Sequence, residues 1–300
     1  KTAPVIEGMP GLGPKPAPEP PGGARFEARE FANAAGSRKY KLFVPASYNG
    51  EAMALVVMLH GCTQSPDDFA VGTRMNELAE AQGFFVAYPG QATSANVSKC
   101  WNWFNPADQQ RGLGEPSIIA GITQQIMGEF SVLPRKVYIA GISAGGAMAA
   151  IMGAAYPEIY AAVGVHSGLA SGAASDFASA MAAMRRGGTR HVESAGARPI
   201  PTIVFHGDKD ATVNIANAAQ VIAQAKGNAV LRSDVVEGQS AGGMKYTRTT
   251  QSTEDGRPVL EEWVLRGAGH AWSGGSAAGS FTLPAGPDAS REMLRFFNLQ

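Results

Sequence analysis

Six short runs of consecutive apolar residues punctuate the chain: "LVVMLHG" (55–61), "FFVAYPG" (84–90), "KVYIAGIS" (136–143), "AAVGVHSG" (161–168), "TIVFHGD" (202–208) and "EEWVLRGAGH" (261–270). Each is strand-length, and its apolar residues are successive rather than alternate. A strand with one wet face alternates, so continuous runs predict strands buried on both faces, as in a parallel sheet. Segments with helical spacing lie between them. "SPDDFAVGTRMNELAEAQG" (65–83) opens on a Ser65 cap followed by Pro66 and stops at Gly83. "EPSIIAGITQQIMGEF" (115–130) and "AGGAMAAIMGAAYP" (144–157) follow, the latter halted by Pro157. "NIANAAQVIAQAKG" (214–227) ends at Gly227, and "DASREMLRFFNL" (288–299) comes last. Strands alternating with helices predict an α/β fold, a doubly wound, mostly parallel sheet with helices on both faces. Residues 230–264 break the rhythm and predict antiparallel strands with tight turns.

The segment "KTAPVIEGMPGLGPKPAPEPPGG" (1–23) has neither period and is Pro/Gly-rich. It predicts an extended arm or linker, taken to residue 37, with a single domain over 38–300. Three hundred residues, 45% of them hydrophobic, are enough for one large α/β core. Twenty-five basic residues balance twenty-five acidic ones, which argues against a nucleic-acid or anionic-membrane partner. No apolar run approaches a membrane span. The chain begins at Lys1 rather than methionine, so a leader removed upstream is expected. The two cysteines, Cys62 and Cys100, fit either a disulfide in an oxidising compartment or two buried thiols in the cytosol. Export, to the outside or the periplasm, is the expected localisation, with free thiols and the cytosol as the alternative.

Two stretches fit G-x-S-x-G, the pattern of a nucleophilic serine: "GISAG" (141–145) and "GQSAG" (238–242). The first follows the run "VYIA" and precedes a helix-forming run. That strand–turn–helix context is what a nucleophile elbow needs, and Gly141 and Gly145 flank the serine where a β-carbon would clash. The second sits between two alternating segments and reads as a hairpin turn. Ser143 is therefore the candidate nucleophile and Ser240 the decoy.

A serine hydroxyl needs a base, and the base needs a group to orient it. On such a sheet the expected chain order is Ser, acid, His. His270, in the loop "RGAGHAW" after a strand, is the candidate base. "IVFHGDKDATV" offers Asp208 and Asp210 just past a strand end, and the reach back under an imidazole favours Asp210, leaving Asp208 to stabilise the turn. The oxyanion donors are expected to be the backbone amides of Ala144 and of Cys62 in "LHGCTQ", with Thr63 the next choice. His60 and His166 sit at strand ends and read as hydrogen-bonded supporting residues; His191 lies in a charged loop with no expected role. "KCWNWFNP" (99–106) places Trp101 and Trp103 in a polar loop. They are expected either to anchor it by packing or to wall a substrate site, and Trp272 carries a weaker form of the same expectation. The scattered histidines and cysteines offer no metal constellation, and no Gly cluster has the lysine of a phosphate loop, so no metal or other cofactor is expected.

With these residues assembled, "LHGCTQSPDDFA", "SKCWNWFNPADQQRGLGEPSIIAGI", "GISAGGAMAAIMGAAYP" and "HGDKDATV" resemble the catalytic domain of esterases of the poly(3-hydroxybutyrate) depolymerase family, relatives of feruloyl and acetylxylan esterases. The resemblance runs from about residue 38 to the C-terminal end. It implies an α/β-hydrolase fold, a Ser143–Asp210–His270 triad, cofactor-free hydrolysis of carboxylic esters, and a Cys62–Cys100 disulfide joining the oxyanion loop to the Trp loop. Nothing in the sequence resembles the polymer-binding or fibronectin-like module that secreted polymer-degrading members often carry. Amorphous polyester, its oligomers or small esters are accordingly the expected substrates. Feruloyl or acetyl esters of plant polysaccharide are the close rival, and a peptidase or a non-catalytic ligand-binding protein on the same fold the remote ones.

Overall fold

The computed structural model describes residues 22–188 and 199–298. Residues 1–21, most of the expected arm, and His191 with its expected loop lie outside them. Ten strands form one sheet: β1 (Arg25–Asn33), β2 (Gly36–Val44), β3 (Met53–Leu59), β4 (Phe84–Pro89), β5 (Val132–Ile142), β6 (Ala162–His166), β7 (Thr202–Gly207), β8 (Arg232–Gln239), β9 (Lys245–Ser252) and β10 (Pro258–Leu265). A small separate pair is made by β11 (Trp272–Ser273) and β12 (Thr282–Leu283). The order across the large sheet is β1-β2-β4-β3-β5-β6-β7-β10-β9-β8. From β4 to β10 every neighbouring pair is parallel, while β1 and β2 at one edge and β9 and β8 at the other run antiparallel. The α-helices among the described residues are α1 (Pro66–Thr73), α2 (Met75–Gln82), α3 (Gly114–Glu129), α4 (Ala144–Ala155), α5 (Phe177–Arg186), α6 (Ala216–Lys226) and α7 (Ala289–Phe297).

The continuous apolar runs do what their pattern implies. In β3, Leu55, Val57 and Leu59 enter one core with α3, α4 and α6, while Val56 and Met58 enter a second with α1, α2 and α7. All five side chains are essentially inaccessible. Burial on both faces is the physical content of an unalternating strand.

Three local features depart from the sequence reading. The arm does not reach residue 37: β1 and β2 form an antiparallel ribbon from Arg25 onward, in register from Arg25–Val44 to Asn33–Gly36. β1 is an edge strand carrying Arg25, Glu27, Arg29 and Glu30, so it lacks the apolar run that betrays a central strand. The helix expected over 65–83 is two helices broken at Arg74, whose φ is +56°. There the Thr73 carbonyl accepts from Ser290 Oγ at 2.7 Å, a tertiary bond from α7 beside the break. Finally, α5 was not legible as a helix; Asp176 caps it, its carboxylate accepting from the Ser179 amide at 2.7 Å.

Candidate active site

Ser143, Asp210 and His270 each follow the carboxyl end of a parallel strand, β5, β7 and β10 respectively, the edge at which open α/β sheets build their sites. Ser143 sits on a sharp turn between β5 and α4 with φ +57° and ψ −122°, a conformation that costs an L-residue energy and is kept only where the surroundings enforce it. The enforcement is visible. A β-carbon at Gly145 would collide with the carbonyl oxygens of Leu59 and His60, and one at Gly141 with the Gly145 carbonyl. The Ser143 amide donates to His166 O at 2.9 Å, and the Ala147 amide closes the first helical turn onto Ser143 O at 2.9 Å.

Asp210 is fully buried at its carboxylate. Oδ1 accepts from the amides of Thr212 at 2.9 Å and Val213 at 2.8 Å, and Oδ2 accepts from His270 Nδ1 at 2.7 Å. Burial alone would raise this carboxyl; the hydrogen bond from His270 and those from the two amides outweigh it and hold the group below its usual range. With Nδ1–H committed to Asp210, His270 presents the Nε2 lone pair on an imidazole still 13% exposed. Gly207 makes the approach possible, because a β-carbon there would strike the Ala268 carbonyl in the loop that carries His270. Asp208 points elsewhere: it accepts from the Gly267 amide at 2.7 Å and holds the turn.

The loop after β3 packs on the elbow. Of its amides at positions 61–64, three are engaged: Gly61 N donates to Gln64 Oε1 at 2.9 Å, Thr63 N to Ser98 O at 2.7 Å and Gln64 N to Gly61 O at 3.4 Å. Cys62 N has no acceptor. The carbonyl of the same Gly61–Cys62 peptide is taken by His60 Nδ1 at 2.7 Å, which turns the N–H the other way. Ala144 N, the first amide of α4, is likewise free, as the opening donors of a helix are. Cys62 and Cys100 form a disulfide with Cα atoms 4.2 Å apart.

Behind this loop lies a buried polar cluster. His60 Nε2 accepts from Gln91 N at 3.0 Å. The Gln91 carboxamide donates to Cys100 O at 2.9 Å and, through a short bond, to Glu115. Glu115 also accepts from Asn102 N at 2.8 Å and Arg38 at 3.2 Å. Burial pushes the Glu115 carboxyl up against the pull of the Gln91 and Asn102 bonds. Burial likewise depresses His60 to about 4 and His166 to about 3, so both are neutral supports. His166 Nε2 accepts from the Ser273 amide at 3.0 Å, tying the segment beyond His270 to the residue that holds Ser143.

The tryptophans do not wall a site. Trp101, Trp103 and Trp272 are 0%, 5% and 1% exposed, and a ring so enclosed has no face to offer. Trp101 Nε1 donates to His60 O at 3.1 Å, Trp103 packs edge-on against Phe104, and Trp272 stacks on His166 and donates to Ser290. They are anchors from opposite sides of the sheet. Ser240 is in the β8–β9 turn, where its hydroxyl donates to Ala285 O at 2.5 Å and accepts from Met244 N at 3.0 Å. Sequence reasoning missed Gln64, Gln91 and Glu115, since isolated polar residues in a loop or at a helix start carry no pattern that announces burial.

An elbow serine, a carboxylate-oriented histidine and a mostly parallel sheet flanked by helices define an α/β-hydrolase fold. The structure of an acetyl xylan esterase from Aspergillus awamori superposes on 93% of this chain and 100% of its own, with a TM-score of 0.69 at 20% identity. The chain belongs to the esterase PHB depolymerase family, whose model matches residues 38–244. That stretch includes Ser143 and Asp210 but not His270. A poly(3-hydroxyalkanoate) depolymerase C from Paucimonas lemoignei is 29% identical over 82% of this chain and 61% of its own length. A feruloyl esterase B from Neurospora crassa is 34% identical over 38% of each. The chain thus spans about three-fifths or less of the length of these curated relatives.

Proposed function

We propose that the protein is a serine carboxylic-ester hydrolase acting on 3-hydroxybutyrate-type polyesters, their oligomers or related short-chain esters. The observation that carries the reading is the Asp210–His270 pair sharing one sheet edge with an elbow serine and two unpaired amides. Ser143 Oγ attacks the ester carbonyl while His270 Nε2 takes its proton. The carbonyl oxygen becomes an alkoxide that accepts from the amides of Cys62 and Ala144. Collapse breaks the ester C–O bond, and His270 returns its proton to the departing alcohol oxygen. A water, deprotonated by the same nitrogen, attacks the acyl-enzyme; the second collapse frees the acid and restores Ser143. Asp210 holds the imidazole in the useful tautomer throughout.

Feruloyl or acetyl esters of plant polysaccharide are the second reading, favoured by the 34% match to a feruloyl esterase. The disulfide is in keeping with an exported protein. The deciding experiment is a hydrolysis panel on purified protein: p-nitrophenyl butyrate, hydroxybutyrate trimer, amorphous poly(3-hydroxybutyrate) and methyl ferulate, each against Ser143→Ala. Trimer or polymer cleavage lost in the variant is the expected result. Activity confined to ferulate would keep the chemistry and move the substrate to plant cell walls.

A further inference from the structure

Gln64 is 4% exposed, and every polar atom of its carboxamide is used. Oε1 accepts from Gly61 N at 2.9 Å. Nε2 donates to Asp68 Oδ2 at 3.1 Å, to Ser280 O at 3.2 Å and to Ser280 Oγ at 3.2 Å. The amide orientation is thereby fixed, since a flip would set an NH2 against an N–H and an oxygen against three acceptors. Asp68 in turn accepts from Ser280 N at 3.0 Å and, through a short bond, from Ser280 Oγ. The next residue, Phe281, stands at φ +51° and accepts from Trp272 N at 2.7 Å, two residues past His270. One side chain thus joins the loop after β3 to the β11–β12 loop, and no hydrolytic role assigned above uses it.

We infer that Gln64 is a positioning residue of the hydrolytic site, held by Asp68 and Ser280, that couples the Cys62 oxyanion donor to the segment carrying His270. The inference rests on the proposed oxyanion role of Cys62. The peptide before Gly61 is pinned by Gln64, the Gly61 carbonyl by His60 and the peptide before Thr63 by Ser98, so the intervening Cys62 N–H takes its aim from all three. Releasing the first lets the donor swing, and a donor off line matters chiefly when charge builds on the carbonyl oxygen. The loss therefore falls on kcat rather than KM.

The test is Gln64→Glu, which sets a carboxylate against that of Asp68, so that like-charge repulsion draws the side chain off the Gly61 amide. On p-nitrophenyl butyrate, kcat should fall by about tenfold or more with KM within about twofold. The inhibition constant of an alkylboronic acid, whose Ser143 adduct puts a tetrahedral oxygen at the donors, should rise in parallel. Adding Asp68→Asn reverses the polarity of the pair, because the carboxamide introduced at position 68 can donate to the carboxylate introduced at position 64, and should recover most of the lost kcat. Should Gln64→Glu not fold, Ser280→Ala removes one hydroxyl from the clamp and should lower kcat by about threefold with KM unchanged. Wild-type kcat and boronate affinity in a folded Gln64→Glu, or a loss that Asp68→Asn does not relieve, would overturn the inference while leaving the hydrolase standing. A wild-type protein inert toward both the ester and a fluorophosphonate would overturn the hydrolase reading and the inference with it.

Discussion

At the scale of single residues, the two G-x-S-x-G serines make the sharpest contrast. Ser143 has the strained turn and the partly exposed side chain of a nucleophile. Ser240 spends its hydroxyl on backbone partners in a hairpin. Ser143→Ala should lower p-nitrophenyl butyrate hydrolysis by about 10⁵-fold or more, with Ser240→Ala within about twofold of wild type; the opposite ranking would discard this elbow. The paired aspartates divide in the same way. Asp210→Asn leaves a side chain that cannot hold His270 in the tautomer with Nε2 free, and kcat should drop by about 10⁴. Asp208→Asn loses only a turn contact to Gly267, so comparable kcat losses in the two variants would refute the assignment. Chain order and loop position made all of these residues legible. Gln64, Gln91 and Glu115 were not, because what makes them matter is burial among partners up to 216 positions away.

At the scale of elements, unalternating apolar runs gave away the six central parallel strands, and the strand–turn–helix context separated the elbow from its decoy. The edge ribbon β1–β2 stayed hidden because a charged, half-exposed strand has the composition of a linker. The Trp loop shows the same limit from the other side. Two tryptophans in a polar segment are equally compatible with packing and with binding until their surroundings are known. Their enclosure makes Trp101→Phe a stability variant: loss of the Nε1 donor leaves the buried His60 carbonyl short of a partner and should cost about 1–3 kcal/mol by urea unfolding. KM for p-nitrophenyl butyrate should stay within about twofold. A large rise in KM with unchanged stability would return the tryptophan to the substrate.

At the scale of the whole molecule, the site is held together by groups that titrate or can be reduced. His60 and His166 are depressed by burial to about 4 and about 3, against about 6.5 in an unfolded chain. Above pH 6.5 both states hold them neutral, so they make no pH-dependent contribution. As pH falls from about 6.5 toward 4, the unfolded chain binds two protons that the folded one refuses, and stability should drop by about 1.4 kcal/mol per unit for each histidine. Below about 4 the folded state begins to take up the His60 proton and that part of the slope ends. A flat stability curve between pH 6 and 4.5 would show that these imidazoles are not buried neutral. The Cys62–Cys100 bond closes a 38-residue separation and should contribute up to about 4 kcal/mol. Reduction should lower the unfolding midpoint and, by freeing Cys62, lower kcat; an unchanged midpoint in fully reduced protein would contradict this.

Local pattern by itself determined the fold class, the elbow, the order of the candidate triad and the location of the candidate oxyanion loop, because strand burial and tight turns leave their mark on neighbouring residues. Tertiary structure alone decided which amide of residues 61–64 is free, which polar side chains are buried, where the chain pairs at its edges, and that the tryptophans face inward. Each of those depends on atoms brought together from distant positions, and no spacing along the chain records which partner arrives.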